Sequence, residues 1–164
     1  MSEVKILDYI QDHFRSRAMD LIMLGFTNFG VIFMGMVFAY ALLYYDDRLR
    51  VILCLGAATV LKVLITDLLM KPFSDRDRPF VKTGREPVGR KPQDQSFPSG
   101  HTSGSFAILT AWYLMGMPYI PVLAVTAFCI SVSRMYLYVH WPTDVLAGYA
   151  VGILSGWLAY VIVF

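Results

Sequence analysis

Leu21–Tyr45 contains no charged side chain, and a bilayer is crossed by about 20 apolar residues. Inside lipid, every backbone N–H and C=O needs a partner within the chain, so this segment leaves few folds open. It is followed by a tight polar turn, Asp46–Arg50, and by a second apolar run, Val51–Met70, that heads back across. The second run carries Lys62 and Asp67, which must face protein rather than lipid. Asp67 lies one helical turn before Lys71, so an ion pair is open there, and neutralisation inside a bundle is the reading for Lys62 and Asp67. Thr102–Ser133 is uncharged and too long for one crossing, and Gly116–Pro121 divides it in two. Val145–Phe164 supplies one more span. The chain is 57% hydrophobic and 16% charged, against about 25% charged in a soluble domain, so its solvent is lipid.

The expected fold is all-α: a polytopic membrane helix bundle of about five transmembrane helices in a single domain, 1–164. Residues 1–18 form an interfacial amphipathic helix, with Val4, Leu7, Ile10 and Phe14 at helical spacing and His13 on the solvated side. Residues 72–98, with five prolines, form a loop that covers a site. Gly148, Gly152 and Gly156 recur every fourth residue and let two helices approach closely. Cys54 and Cys129 sit in apolar runs as inert buried residues. The start of the chain lacks the basic-then-apolar pattern of a cleavable signal, so the whole chain is read as mature. No continuous basic face suggests a nucleic-acid partner.

Three ionisable clusters fall on one membrane face. Lys71–Pro79 brings Lys71, Arg76 and Arg78 to the end of the second crossing, where lysine and arginine suit phosphate oxygens. Phe97–Thr102 opens the third crossing: Ser99 resembles an N-cap, Gly100 leaves a ligand unobstructed, and free N–H groups make an anion site beside His101. Ser133–Asp144 carries Arg134, His140 and Asp144. Pro142 suits the first turn of a helix, which puts His140 in the loop before it and Asp144 within reach of one imidazole nitrogen. His140 so placed suits attack as a neutral imidazole, and His101, protonated, suits protection of a leaving oxygen.

Lys-x6-Arg-Pro at 71–79, Pro-Ser-Gly-His at 98–101 and Ser-Arg-x5-His-x3-Asp at 133–144 resemble the three signature motifs of the type 2 phosphatidic acid phosphatase superfamily, in the same order. The resemblance covers roughly Val51 to the end of the chain, and its layout is similar to short bacterial members, undecaprenyl pyrophosphate phosphatases among them. It implies a phosphohistidine mechanism with neither metal nor cofactor. His140 would be the nucleophile, Asp144 its orienting partner and His101 the acid, while Lys71, Arg78, Ser99, Gly100 and Arg134 would hold the phosphoryl oxygens. The implied substrate is a lipid phosphate or diphosphate, such as undecaprenyl diphosphate, phosphatidylglycerol phosphate or phosphatidic acid. A lipid phosphotransferase would use the same residues, and a non-catalytic binder of anionic lipid would need the cations alone. Asp75, Asp77, Glu86 and Asp94 alternate with cations rather than forming a cage of hard metal ligands. Cations outnumber anions on the motif face, which by the positive-inside rule would be cytoplasmic. Those cations serve phosphate, however, and short relatives work outside, so the extracytoplasmic face is expected.

Overall fold

The computed structural model describes residues 2–164 (the side chains of 31 and 34 excepted), all of them helical or in connecting loops. Helices α1 (Glu3–Phe14), α2 (Arg17–Tyr44), α3 (Arg48–Val63), α4 (Pro79–Thr83), α5 (Gly100–Leu114), α6 (Ile120–Tyr136) and α7 (Pro142–Val163) follow in order. Their starts follow from local chemistry. The Ser16 hydroxyl accepts the Met19 N–H at 3.2 Å, while Pro79, Pro121 and Pro142 occupy first turns, where a missing N–H costs nothing. Gly116, at φ 69°, makes the tight exit from α5.

Past Val63 the α3 helix widens into a π-helical stretch, Leu64–Met70, and closes with a 3₁₀ turn, Lys71–Phe73. The wider turn brings residues five apart together. Asp67 therefore receives Lys62 at 3.1 Å as well as Lys71 at 2.9 Å. The expected pair is present, and it is shared by a second lysine.

α5 is the centre of the bundle, touching α2, α3, α6 and above all α7. The α5–α7 seam is built on glycine. A Cβ at Gly148 would lie 3.0 Å from the Ser99 carbonyl oxygen, one at Gly152 would lie 2.6 Å from that of Ser103, and one at Gly156 would lie 2.4 Å from that of Ala107. Side chains cannot enter such gaps, so the stripe sets both spacing and register. Ala107, Ala111 and Trp112 then pack with Leu55, Ala58 and Ala41 in the main core.

Among the described residues two helices are long and apolar enough to cross a membrane: Arg48–Phe73 and Pro142–Val163. A third joins them when α2, bent by 48° between Gly30 and Gly35, is taken as one span. Of the five expected crossings, two or three meet this test of length and composition among the described residues. The difference lies in α5, 15 residues, and α6, 17 residues. At 1.5 Å per residue they reach about 22 and 26 Å, against about 30 Å of hydrocarbon. The uncharged run that holds them also spends residues on the turn between them.

α1 does more than lie flat. Leu7 is buried against Tyr138 and Trp141, and Gln11 is buried while donating to the Tyr136 carbonyl. Tyr9 and Phe14 face outward, and His13 is exposed, bonding only the Tyr9 carbonyl. The expected loop over 72–98 contains one short helix, α4, and is tied down at Val88, whose N–H meets the Leu137 carbonyl at 3.1 Å.

Gly152→Ala and Gly156→Ala are each expected to lower the melting temperature in detergent, at a cost of about 1–3 kcal/mol for forced overpacking. Gly25→Ala, with nothing within 4 Å, is the control and should melt as the native protein does.

Candidate active site

His140 and Trp141 are the last residues before α7, and Asp144 lies in its first turn. Tyr138, at φ 63°, bends the chain so that both Val139 and His140 direct their N–H groups to the Arg134 carbonyl, each at 3.2 Å. A tyrosine in that conformation is strained by about 1–3 kcal/mol. Its ring is fully buried and its hydroxyl donates to Asp8 at 2.8 Å, so α1 holds the bend.

Asp144 is fully buried. Its Oδ2 accepts the Trp141 N–H at 2.8 Å and the Ser96 hydroxyl at 2.5 Å, and its Oδ1 accepts Arg76 Nη1 at 2.8 Å. Held on both oxygens, the carboxylate cannot turn. Its Oδ2 stands 3.5 Å from Nδ1 of His140, the outer edge of a hydrogen bond, and Nδ1 has no nearer partner. On the opposite side of the ring, Nε2 is 3.2 Å from Arg78 Nη1. A guanidinium only donates, so Nε2 accepts and the proton of the neutral ring belongs on Nδ1, toward Asp144. Burial, more than the nearby charges of Arg78 and Arg134, pushes the His140 pKa down to about 4, with Asp144 pulling the other way.

Arg78 is itself immobilised. It donates to the carbonyls of Asp94 (2.8 Å) and Val139 (2.8 Å) and to the Asp94 carboxylate (2.9 Å). Asp94 also receives Lys71 Nζ at 2.6 Å. Partial burial works against the charge of Asp94, but the Lys71 hydrogen bond and the charges of Arg78 and Lys71 hold its carboxyl down at about 2. The anion seated between two of the expected phosphate-binding cations is therefore the chain's own carboxylate.

Behind Asp94 a cavity of about 550 Å³ is lined by His101, Arg134, Thr27 and Leu137, among others. Arg134 is buried, donates from Nη1 to the Thr27 hydroxyl, and leaves Nε without a partner. Among the described residues it forms no ion pair. A buried guanidinium lacking a counter-anion is costly. His101 is exposed here, with no side-chain hydrogen bond among the described residues. Ser99 is the α5 N-cap by position, but its hydroxyl accepts from Thr102 at 3.0 Å instead of capping the helix, and its N–H goes to the Asp144 carbonyl at 3.1 Å. The first-turn N–H groups of α5 stay free of a side-chain cap. A Cβ at Gly100 would lie 3.5 Å from Lys62 Nζ and 3.7 Å from Lys71 Nζ. That is ordinary contact, so glycine there keeps the approach open without being sterically required.

One sequence expectation needs correction: Arg76 does not join the other cations. It faces the back of the site, bonding Asp144, Thr143 and Glu3. Four contributors escaped the sequence reading: Glu3, Thr27, Asp94 and Ser96. Glu3 also accepts the Thr143 N–H at 3.0 Å across most of the chain. Among the described residues no three metal-ligating side chains converge.

A family model described as the PAP2 superfamily matches residues 49–164. The lipid A 4'-phosphatase of Porphyromonas gingivalis is 30% identical over 140 residues, covering 79% of this chain and 59% of that protein. The undecaprenyl-diphosphatase BcrC of Bacillus subtilis is 27% identical over 146 residues, covering 87% and 74%. The chain thus spans less than two thirds of the first relative. The crystal structure of Aquifex aeolicus LpxE is similar with a TM-score of 0.79 at 25% identity, covering 94% of this chain and 92% of that one.

Between pH 4 and 6.5 an ordinary histidine becomes protonated while His140 should remain neutral, because its folded pKa is the lower one. Nitrogen NMR in detergent is expected to show the Nδ1–H tautomer titrating near pH 4, and a midpoint above 6.5 would contradict the geometry. Asp94→Asn removes the internal anion from Lys71 and Arg78. Calorimetry should then show inorganic phosphate binding about tenfold more tightly, the scale of one charge-assisted hydrogen bond; weaker binding would make Asp94 a holder of the cations instead of their occupant.

Proposed function

The chain belongs to the PAP2 superfamily, and from that premise we propose that it is an integral-membrane phosphatase acting on a lipid phosphate or diphosphate. The observation that carries this reading is Arg134, a buried cation with an orphaned Nε and no ion-pair partner among the described residues, on a cavity shared with His101. A site built this way is complete only with an anion in it. The related lipid A phosphatase and undecaprenyl-diphosphatase take such lipids by name.

In the proposed reaction the phosphoryl group displaces Asp94 and takes up Lys71, Arg78 and Arg134, with the Gly100 N–H at the start of α5 and the Ser99 hydroxyl, whose own proton is still free to donate, on its remaining oxygen. The Nε2 lone pair of His140 attacks phosphorus. As the N–P bond forms, the ring becomes cationic, and Asp144 stabilises the Nδ1–H side of it. The bond to the leaving oxygen breaks, and His101 supplies that oxygen with a proton. Water then attacks the phosphohistidine, His101 takes the proton of that water, and inorganic phosphate leaves with His140 neutral again. Charge developing on the phosphoryl oxygens is met by side chains already in place, usually a large share of catalysis. These cations supply what a metal would otherwise provide, so the proposed reaction is metal-independent. A single domain with five crossings and the site on the extracytoplasmic face completes the proposal, with undecaprenyl diphosphate, phosphatidylglycerol phosphate and phosphatidic acid as candidate substrates.

Phosphate release from those three lipids in detergent, with chelator present, tests the reading. His140→Ala is expected to abolish release, and Asp144→Asn to reduce it at least about a hundredfold, as when a histidine loses its orienting carboxylate. Near-normal turnover by His140→Ala would overturn the assignment.

A further inference from the structure

Beyond His101 lies a second cavity of about 330 Å³ that shares Lys71, Gly100 and His101 with the phosphoryl site and adds Lys62, Asp67 and Gly104, among others. Its walls lie about one helical turn further from the His140 end than those of the first cavity, with Gly30 beyond Thr27 in α2 and Ile130 before Arg134 in α6. Gly104 is almost one turn past His101 along α5, and Lys62 is nine residues before Lys71 along α3. His101 belongs to both cavities and stands between them.

Lys62 is costly where it sits. A lysine in an apolar span normally extends its stem to the membrane surface. Here the stem lies over the two glycines of α5: its Cε is 3.9 Å from where a Cβ of Gly104 would be, and its Nζ is 3.5 Å from that of Gly100. The ammonium thus points toward the start of α5. Its one carboxylate, Asp67, is shared with Lys71. Among the described residues the ion-pair partners of Lys62, Lys71, Arg78 and Arg134 are Asp67 and Asp94, two negative charges for four positive ones, and Arg90 and Lys91 add to the positive wall of the first cavity. Lys71 draws on both Asp67 and Asp94, whereas Lys62 has, among the described residues, a share of Asp67 alone. Lys62 is thus the lysine with charge to offer a further anion.

A lipid whose terminal phosphate lies in the first cavity must run its leaving group past His101 and toward the bilayer interior. For a monophosphate that group is an alcohol. For a diphosphate it is a second phosphate. We propose that Lys62 binds the inner phosphate of a lipid diphosphate and makes this substrate class the preferred one. The inference rests on the phosphatase reading above. As His140 Nε2 bonds to the terminal phosphorus, the bond from that phosphorus to the bridging oxygen breaks. The electron pair stays on that oxygen, now part of a lipid monophosphate whose added charge Lys62 meets. Water afterwards attacks that phosphorus and the N–P bond breaks, His140 regaining its lone pair and neutral His101 taking the proton of the water. A phosphate leaves without a proton far more readily than an alcohol does, so the diphosphate reaction leans on Lys62 where the monophosphate reaction leans on His101.

The test compares farnesyl diphosphate with farnesyl monophosphate, which share one tail. In Lys62→Met the ratio of kcat/KM for diphosphate to that for monophosphate is expected to fall about tenfold, the loss of one charge-assisted contact, and Lys62→Arg should restore most of it. In His101→Ala the same ratio should rise. A Lys62→Met ratio within threefold of the native value overturns the proposal, as does an equal loss on both substrates at native melting temperature. Should the methionine variant melt early, Lys62→Gln, which can still donate to Asp67, carries the same comparison. Activity that depends on His140 but ignores Lys62 removes this inference alone, whereas activity indifferent to His140 removes the phosphatase reading beneath it.

Discussion

At three points along the α5–α7 seam no side chain of α7 stands between the two backbones. Gly148, Gly152 and Gly156 admit the carbonyls of Ser99, Ser103 and Ala107 so closely that the helices can neither slide nor roll. The rest of the site inherits its geometry from this contact. The Pro-Ser-Gly-His turn opens α5 and the His–Trp–Pro–Thr–Asp turn opens α7, and the seam brings the two openings together at one end. The Ser99 N–H then meets the Asp144 carbonyl, and Ser96, three residues earlier, reaches the Asp144 carboxylate. Close packing of small residues is a common way for helices to associate in lipid, where apolar burial gives little drive.

Charge is arranged around that scaffold in two layers. At the back, Glu3, Arg76 and Asp144 form a chain of alternating sign that ends at Nδ1 of His140. It fixes the ring, and through Glu3 it ties the first helix to the first turn of α7. At the front the balance is positive. Arg78 and Lys71 share Asp94, while Arg134 has only a neutral threonine. Buried charge without a partner is destabilising, and a bound anion relieves it. Asp94, its side chain half-exposed, gives partial relief in the resting protein. In the proposed reaction an anionic headgroup offers the same donors more acceptor oxygens and meets Arg134 as well.

The sequence was most informative where spacing within one element decides contact. The His140–Asp144 relation follows from four residues with Pro142 between them, and the glycine stripe follows from a four-residue repeat on one helix. It was less informative about span lengths, because an uncharged run does not reveal how many of its residues a turn consumes, as Met115–Tyr119 does here. Arg76 was drawn toward the phosphate cations by its neighbours Lys71 and Arg78. Yet a loop of alternating Asp and Arg can point successive side chains either way, and only the packing of Trp141 and Glu3 beside it turned Arg76 to the back. Asp94 looked like one acidic residue among several in a polar loop, and its distinction is purely spatial.

What the sequence determined by itself, then, was an all-helical chain in lipid, with three ionisable clusters at helix ends and the residue types for phosphoryl chemistry. These are consequences of hydropathy, helix-start chemistry and short-range spacing, which act within one turn or one span. Tertiary structure alone decided which cations share an anion, that Arg76 and Glu3 stand behind Asp144, and that Lys62 lies against the start of α5. Each of these joins separate elements, or in the case of Lys62 depends on a π-helical widening, and no periodicity along a single helix encodes how two helices will face each other.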